Sequence, residues 1–116
     1  MSVTDFDKID MMGFTDGGKC FQMVISDHLD WEDEEIHLYI LQEKINAYLA
    51  MIMDREWIEQ KRKNAEYITI MIFFLRDITE NCKKFLRAVQ DQLQQYGIRI
   101  AITIADDDFR KKVKET

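Results

Sequence analysis

The stretch that most constrains the fold runs from Tyr67 to Leu75, nine residues that carry no charge and are apolar except for Thr69. It is far shorter than the roughly 20 apolar residues that a membrane-spanning helix needs. Its β-branched and aromatic side chains favour a strand, and apolar residues at consecutive positions are typical of a strand buried on both faces. The stretch therefore predicts a central β-strand covered on each side.

A second strand is predicted near the carboxyl end, where four isoleucines alternate with small or polar residues between positions 98 and 105. This period of two is typical of a strand with one buried face. Between the two strands, Asp77 and Thr79 are candidate N-caps for a helix, and Gly97 suits the position just after its end. The region therefore predicts a strand, a helix and a strand.

Near the amino end, residues 9–14 and 20–26 are rich in Ile, Met, Phe and Val and flank Gly17-Gly18. Paired glycines between two apolar runs indicate a β-hairpin with a two-residue turn. A turn at Gly17-Gly18 places bulky groups together on one face, which favours this register. It pairs Phe14 with Phe21 and Met12 with Met23.

A long helix is predicted from about Trp31 to Met53 because apolar residues recur there with helical spacing. Its core stripe consists of Leu38, Leu41, Ile45, Leu49 and Ile52, flanked by Trp31 and Tyr48. The segment 54–66 mixes charges with Trp57 and Ile58. It is interpreted either as a continuation of the helix or as a connector.

These elements follow one another in the order ββαβαβ. Strand–helix–strand units are almost always right-handed, so two units that step in the same direction place both helices on one face of the sheet. The predicted fold class is α+β, a two-layer sandwich with a four-stranded mixed sheet and two helices on one face. The strand order is 1-2-3-4 or 2-1-3-4. We expect a single domain over residues 1–116, with a charged tail at 106–116.

This architecture leaves apolar side chains without cover, because only the segment 54–66 with Trp57, folding underneath, or a second chain remains to shield the second face of the sheet. The side of the long helix opposite its core stripe is also apolar. Contiguous exposed apolar patches usually mark interfaces, and symmetric dimers are the commonest closed assemblies. We therefore expect a homodimer or a protein partner. The candidate interface residues are Ile36, Ile40, Ala47, Met51, Met71 and Phe73.

The charge of the chain, −6 overall, is concentrated near its start. Six acidic residues lie within positions 27–35. Such a density disfavours nucleic acid and favours helix capping, by Asp27 or Asp30, or contact with a basic protein partner. A non-enzymatic interaction module, with an immunity-like protein that neutralises a basic enzyme as one version, is consistent with this pattern.

The alternative is a small metal-dependent or acid–base enzyme built on Asp27-His28-Asp30, where a strand leads into the long helix. Glu34 and His37 have a spacing seen in carboxylate–histidine ligation, but a di-metal site needs a second such pair. We assign no metal, cofactor or catalytic residue. The candidate polar cluster is Asp27, His28, Asp30, Trp31, Gln42 and Asn46, with the two amides expected to bond back to the turn.

Cys20 and Cys82 are far apart, and the amino terminus lacks the layout of a signal peptide. Two such cysteines are expected to be free thiols rather than a disulfide or metal site. These features predict a cytoplasmic protein that does not enter a membrane.

Three segments within residues 7–53 resemble a family of small bacterial proteins of unknown function. They are Asp7-Lys8-Ile9-Asp10, the ISDHLDW segment at 25–31 followed by His37-Leu38, and LQEKINAYL at 41–49. The resemblance implies a bacterial origin. It implies no activity, cofactor or catalytic residue.

Overall fold

The computed structural model describes residues 2–6 and 8–105, which form an α+β fold with a four-stranded mixed sheet and three helices. The fold class and the mixed sheet are as predicted, and one helix is additional. The strands are β1 Met11–Thr15, β2 Cys20–Asp27, β3 Tyr67–Phe74 and β4 Ile98–Ile104. The helices are α1 Glu34–Met53, α2 Arg55–Arg62 and α3 Glu80–Leu93. The tail 106–116 lies outside the described residues.

The strands lie in the order β1-β2-β3-β4, with β1 antiparallel to β2 and the other neighbours parallel. In the hairpin, Phe14 lies opposite Phe21 and Met12 opposite Met23, as predicted. The connection is not a two-residue turn, because a 3₁₀ turn at Asp16–Gly18 extends it. Both glycines have positive φ, which glycine adopts without a steric penalty.

Helix α1 begins at Glu34 rather than at Trp31, and its N-cap is Asp33, whose carboxylate accepts a hydrogen bond from the Ile36 amide. The predicted caps have other partners. Asp27 is buried, and the Asp30 carboxylate accepts from the Glu32 amide at 3.0 Å. The helix therefore starts only where an aspartate is free to bond its first turn.

The segment 54–66 is neither a plain continuation of α1 nor an irregular connector, because it contains α2. Asp54 is extended (φ −76°, ψ 101°), which interrupts the helical backbone after Met53. Its carboxylate then accepts a hydrogen bond from the Trp57 amide and caps α2. Ile58 on α2 is buried in the core.

The main core is built from side chains of the sheet and of the helices together. Alternate residues of the inner strands are buried there together with side chains of α1 and α3: Phe21, Met23, Ile25, Ile68, Ile70, Ile72, Phe74, Leu41, Ile45, Tyr48, Cys82, Leu86 and Leu93. The expectation that β3 is covered on both faces is wrong over its second half. Phe73 is 40% exposed and Met71 only half-buried.

The strand registers place these uncovered residues beside others that share the same side of the sheet. We call this surface the open face, and it comprises Val24, Met71, Phe73, Ala101 and Thr103. Its side chains are half-buried or exposed. Toward the other end of the same side, Cys20 and Thr69 are buried, and the Cys20 thiol donates a hydrogen bond to the Thr69 hydroxyl at 3.3 Å.

Candidate functional site

The polar centre of the candidate site is a buried pair between Asp27, the last residue of β2, and His37 in the first turns of α1. The His37 Nε2 atom lies 2.6 Å from Asp27 Oδ2, and His37 Nδ1 lies 2.8 Å from the carbonyl oxygen of Asp30. The other Asp27 oxygen accepts a hydrogen bond from the Leu29 amide at 3.1 Å. Both side chains are almost inaccessible to water.

This geometry determines what the imidazole of His37 can do. A carbonyl oxygen can only accept, so the Nδ1 atom carries a proton and donates it to Asp30. The Nε2 atom shares a proton with the Asp27 carboxyl group. Neither ring nitrogen therefore has a free lone pair to act as a base or to bind a metal ion.

Trp31 completes this cluster, which we call the histidine network: Asp27, Asp30, Trp31 and His37. The indole stacks on the imidazole with ring centroids 3.6 Å apart and an interplanar angle of 22°. Its Nε1 atom donates to the carbonyl oxygen of Asp77, between β3 and α3, at 2.7 Å. The Leu75 amide also donates to the carbonyl oxygen of Asp27 at 2.9 Å. The network thus joins β2, α1 and the segment after β3.

The other predicted members of the polar cluster lie elsewhere. His28 is exposed on the turn and borders a surface concavity of about 340 Å³. Gln42 and Asn46 do not bond back to the turn but border a groove of about 250 Å³ between α1 and α3. At about 100° per residue they lie about 140° and 180° around the helix from His37, so they cannot reach Asp27.

The acidic run is largely used within the fold. Asp27 pairs with His37, Asp33 caps α1, and the Glu34 carboxylate accepts a hydrogen bond from the Asn81 side chain at 2.7 Å. Hydrogen bonds from Thr79 and Asn81 hold the pKa of the Glu34 carboxyl below its ordinary value. Among the described residues, no three or more His, Cys, Asp or Glu side chains converge where they could hold a metal ion.

A second buried polar cluster was not anticipated from the sequence. Lys44 lies on the core side of α1 and is completely buried. Its Nζ atom donates to the carbonyl oxygens of Asp5 and Lys8, at 2.5 and 2.6 Å, and to Asp10 Oδ1 at 3.0 Å. Three oxygen acceptors match the three donors of an ammonium group.

Tyr48, one turn further along α1, extends this cluster. Its hydroxyl donates to the carbonyl oxygen of Val24 at 2.5 Å and accepts from the Asp10 amide at 2.9 Å. The second Asp10 oxygen accepts from the Ser26 amide at 2.8 Å. Burial raises the pKa of the Tyr48 hydroxyl above its ordinary value. We call Asp10, Lys44 and Tyr48 the lysine network; it holds the amino-terminal segment against α1 and β2.

One signal could have revealed this network. At about 100° per residue, Lys44 lies at the margin of the core stripe, about 40° beyond Tyr48, where a lysine is almost never buried without partners. A charged residue at such a position indicates that oxygen acceptors must come from another part of the chain.

The six interface candidates differ in exposure. Ile36 is 56% exposed, whereas Ile40 and Met51 are half-buried and pack against the core. Ala47 is half-buried on α1. Met71 and Phe73 lie on the open face, where Phe73 is 40% exposed and Met71 half-buried.

Comparison with known proteins adds one relationship. A family of unknown function, DUF6572, matches residues 1–106. The chain belongs to this family. The resemblance to an uncharacterised family is thus confirmed, while the bacterial origin stays a prediction. No curated protein and no solved structure matches the chain. Among the described residues, no helix combines the length and the apolar character needed to cross a bilayer.

Proposed function

We propose that this member of the DUF6572 family is a non-enzymatic protein-interaction module that works as a homodimer, with the open face of the sheet as its contact surface. The proposal takes the fold as a two-layer sandwich in which α1 and α3 cover one face of the sheet. The observation that carries it is the exposure of Phe73 and Met71 on the other face. Each large apolar side chain left in water forgoes roughly 1.5–3 kcal/mol relative to burial.

A second copy is the partner that fits this surface. With a net charge of −6, two copies repel each other except where uncharged surfaces meet. Of the strand residues on this side of the sheet, Arg99 alone is charged, and its guanidinium lies over the Tyr67 ring at 4.5 Å. The open face therefore brings no carboxylates together when it meets its own copy.

The shape of the open face also suits a symmetric contact. Ala101 and Thr103 are small and lie beside Met71 and Phe73 on the neighbouring strand. Sheets that pack face to face interdigitate such side chains at a separation of about 10 Å. In a two-fold dimer, Phe73 of one copy would pack against the small residues of the other.

The enzymatic alternative on the Asp27-His28-Asp30 turn has less support. Asp27 and His37 are committed to each other, and Trp31 is stacked on the imidazole. Only His28 remains open to solvent among the histidines. A lone exposed histidine lacks the orienting partner that acid–base catalysis requires.

The test is the mass of the assembly, measured by light scattering after gel filtration. We expect the wild-type chain to have at least twice its mass of 13.9 kDa and the variant Phe73→Glu to have half the wild-type mass. Tyr39→Glu, at a residue on α1 that is 61% exposed, should leave the mass unchanged.

Two results contradict the proposal. A wild-type chain that stays monomeric at 100 µM, on the order of the concentrations used for such measurements, would show that the open face does not self-associate. Dissociation by Ile36→Glu instead of Phe73→Glu would place the interface on α1.

A further inference from the structure

We propose a second interface, independent of the open face: the free edge of β4 pairs antiparallel with β4 of another copy, about a two-fold axis at Ile102. The inference goes beyond a contact between sheet faces because it rests on backbone hydrogen-bonding groups. β4 is the last strand of the sheet, so one of its edges has no neighbouring strand among the described residues. Unpaired edges are templates for another strand.

The directions of the backbone groups of β4 follow from two observations. The Ala105 amide donates to Phe74 on β3, so odd-numbered residues point their polar groups into the sheet. Gln90 of α3 reaches the opposite edge, where its side chain donates to the Ile98 carbonyl oxygen at 3.2 Å and accepts from the Ile100 amide at 2.7 Å. Even-numbered residues of β4 therefore point outward.

The Gln90 side chain thereby takes the place of one residue of a neighbouring strand and satisfies the hydrogen-bonding groups at the start of the edge. Beyond it, four outward groups are the Ile100 carbonyl, both groups of Ile102 and the Ile104 amide, and the Ile104 carbonyl points outward beside them. None of these four groups has a hydrogen-bond partner within residues 2–6 and 8–105.

These four groups complement their own copies. In an antiparallel pair centred on Ile102, the two Ile102 residues exchange both of their hydrogen bonds. The Ile104 amide of each copy then donates to the Ile100 carbonyl of the other. The Ile104 carbonyl of one copy faces the Ile100 amide of the other, which the Gln90 side chain occupies in the single chain, so pairing at this register replaces Gln90 at that amide.

The side chains of this edge support the same pairing. Ile102 is 42% exposed beside an apolar groove of about 460 Å³ between β4 and α3. The groove is lined in part by Ile78, Leu86, Ile100, Ile102 and Ile104. Across the two-fold axis Ile102 would contact its own copy and Ile100 would face Ile104. From Ile100 to Ile104 the strand has no proline and no charge, the features that protect natural edges.

The two proposed contacts are compatible. A two-fold axis perpendicular to the sheet keeps the helices of both copies on one side and joins their open faces into a surface twice as large. Edge pairing together with face packing would then form a closed assembly of four chains, a common symmetry for homo-oligomers.

The experiment uses Phe73→Glu as the background, so that the open face cannot contribute. In this background we expect a particle of twice the 13.9 kDa chain mass. Adding Ile102→Lys or Ile102→Glu places like charges opposite each other across the axis and should reduce the mass to that of one chain. Mixing the Lys and Glu proteins should restore the double mass as a heterodimer in native mass spectrometry. Tyr39→Lys is the matched control and should change nothing.

A further variant tests the backbone bonds themselves. Ile102→Pro removes an amide hydrogen that β3 does not use, so the circular dichroism signal of the sheet should persist while the double mass is lost.

The two proposals can fail separately. A monomeric Phe73→Glu protein from a dimeric wild type overturns edge pairing and leaves face packing intact. If the Phe73→Glu protein keeps the full wild-type mass and adding Ile102→Lys dissociates it, face packing alone is overturned. Charge variants that do not rescue each other overturn edge pairing.

Discussion

The two polar networks beneath α1 are both buried, yet they join different parts of the molecule. The histidine network is centred on a pair of side chains, Asp27 and His37, and connects the ends of β2 and β3 with the start of α1. The lysine network, two to three turns further on, bonds mostly to backbone carbonyls of the segment before β1. The described residues of that segment form no regular helix or strand, so Lys44 supplies hydrogen bonds that a neighbouring strand would otherwise provide. The same helix therefore uses two buried side chains for different purposes. His37 fixes the start of α1 against the sheet, and Lys44 holds the amino-terminal segment against the helix.

The largest effect is expected for Lys44→Met, which removes the ammonium group but keeps most of the side-chain volume. It leaves two carbonyl oxygens and the Asp10 carboxylate buried without their donor. Loss of one partner of a buried ionic cluster typically costs about 3–5 kcal/mol. We expect a loss of this size in the free energy of unfolding, measured with urea.

The amino-terminal segment should respond to the same change. Trypsin should cleave after Lys8 faster in Lys44→Met than in the wild type, because the segment has lost its attachment. Lys84→Met, at an exposed position on α3, should alter neither stability nor cleavage. Equal cleavage in Lys44→Met and wild type would show that the lysine network does not hold the segment.

The next effect is expected for His37→Ala. It removes both ring hydrogen bonds and the stack with Trp31, and it leaves the Asp27 carboxylate without its buried partner. We expect a loss of about 3 kcal/mol in the free energy of unfolding. His28→Ala is the matched control, since His28 is exposed, and its unfolding curve should superimpose on that of the wild type.

A smaller effect should separate charge from hydrogen bonding in the histidine network. In Asp27→Asn the amide oxygen can still accept from the Leu29 amide, while the amide nitrogen donates to a neutral His37. We expect a loss of about 1 kcal/mol, whereas Asp27→Ala should approach the loss in His37→Ala. If Asp27→Asn and Asp27→Ala lower the free energy of unfolding by the same amount, the charge of Asp27 is required rather than its shape.

The smallest effect is expected in moderately alkaline solution. Burial, together with the negative charges of Asp27 and Glu34, raises the pKa of the Cys82 thiol to about 12. In the unfolded chain the thiol ionises near its ordinary value of 9.0. Its neutral folded form therefore gives no pH dependence below that value, and stability declines as the pH rises from 9 toward 12. Cys82→Ala should flatten this decline in urea titrations at several pH values.

Several parts of the fold could be predicted because they depend on neighbouring residues. The hairpin register follows from the position of Gly17-Gly18, and it pairs Phe14 with Phe21 as expected. The end of the second predicted helix also follows from a local signal, since Gly97 has φ +71°. The start of α1 could not be predicted in this way, because three nearby aspartates compete as caps. Asp27 is buried with His37 and Asp30 accepts from the Glu32 amide, which leaves Asp33 to cap the helix.

The amino-acid sequence by itself determined the four strands, α1 and α3, and it identified Leu41, Ile45 and Ile52 as core residues of α1, since periodicity and turn chemistry act between residues close in the chain. The other two residues of the predicted core stripe, Leu38 and Leu49, are only half-buried. Only the tertiary structure decided which polar residues meet. His37 pairs with Asp27 and Lys44 with the segment before β1, while Gln42 and Asn46 point toward α3. The physical reason is that a buried charge must take its partners from whatever lies across the core, and a residue's distance along the chain does not reveal that neighbour.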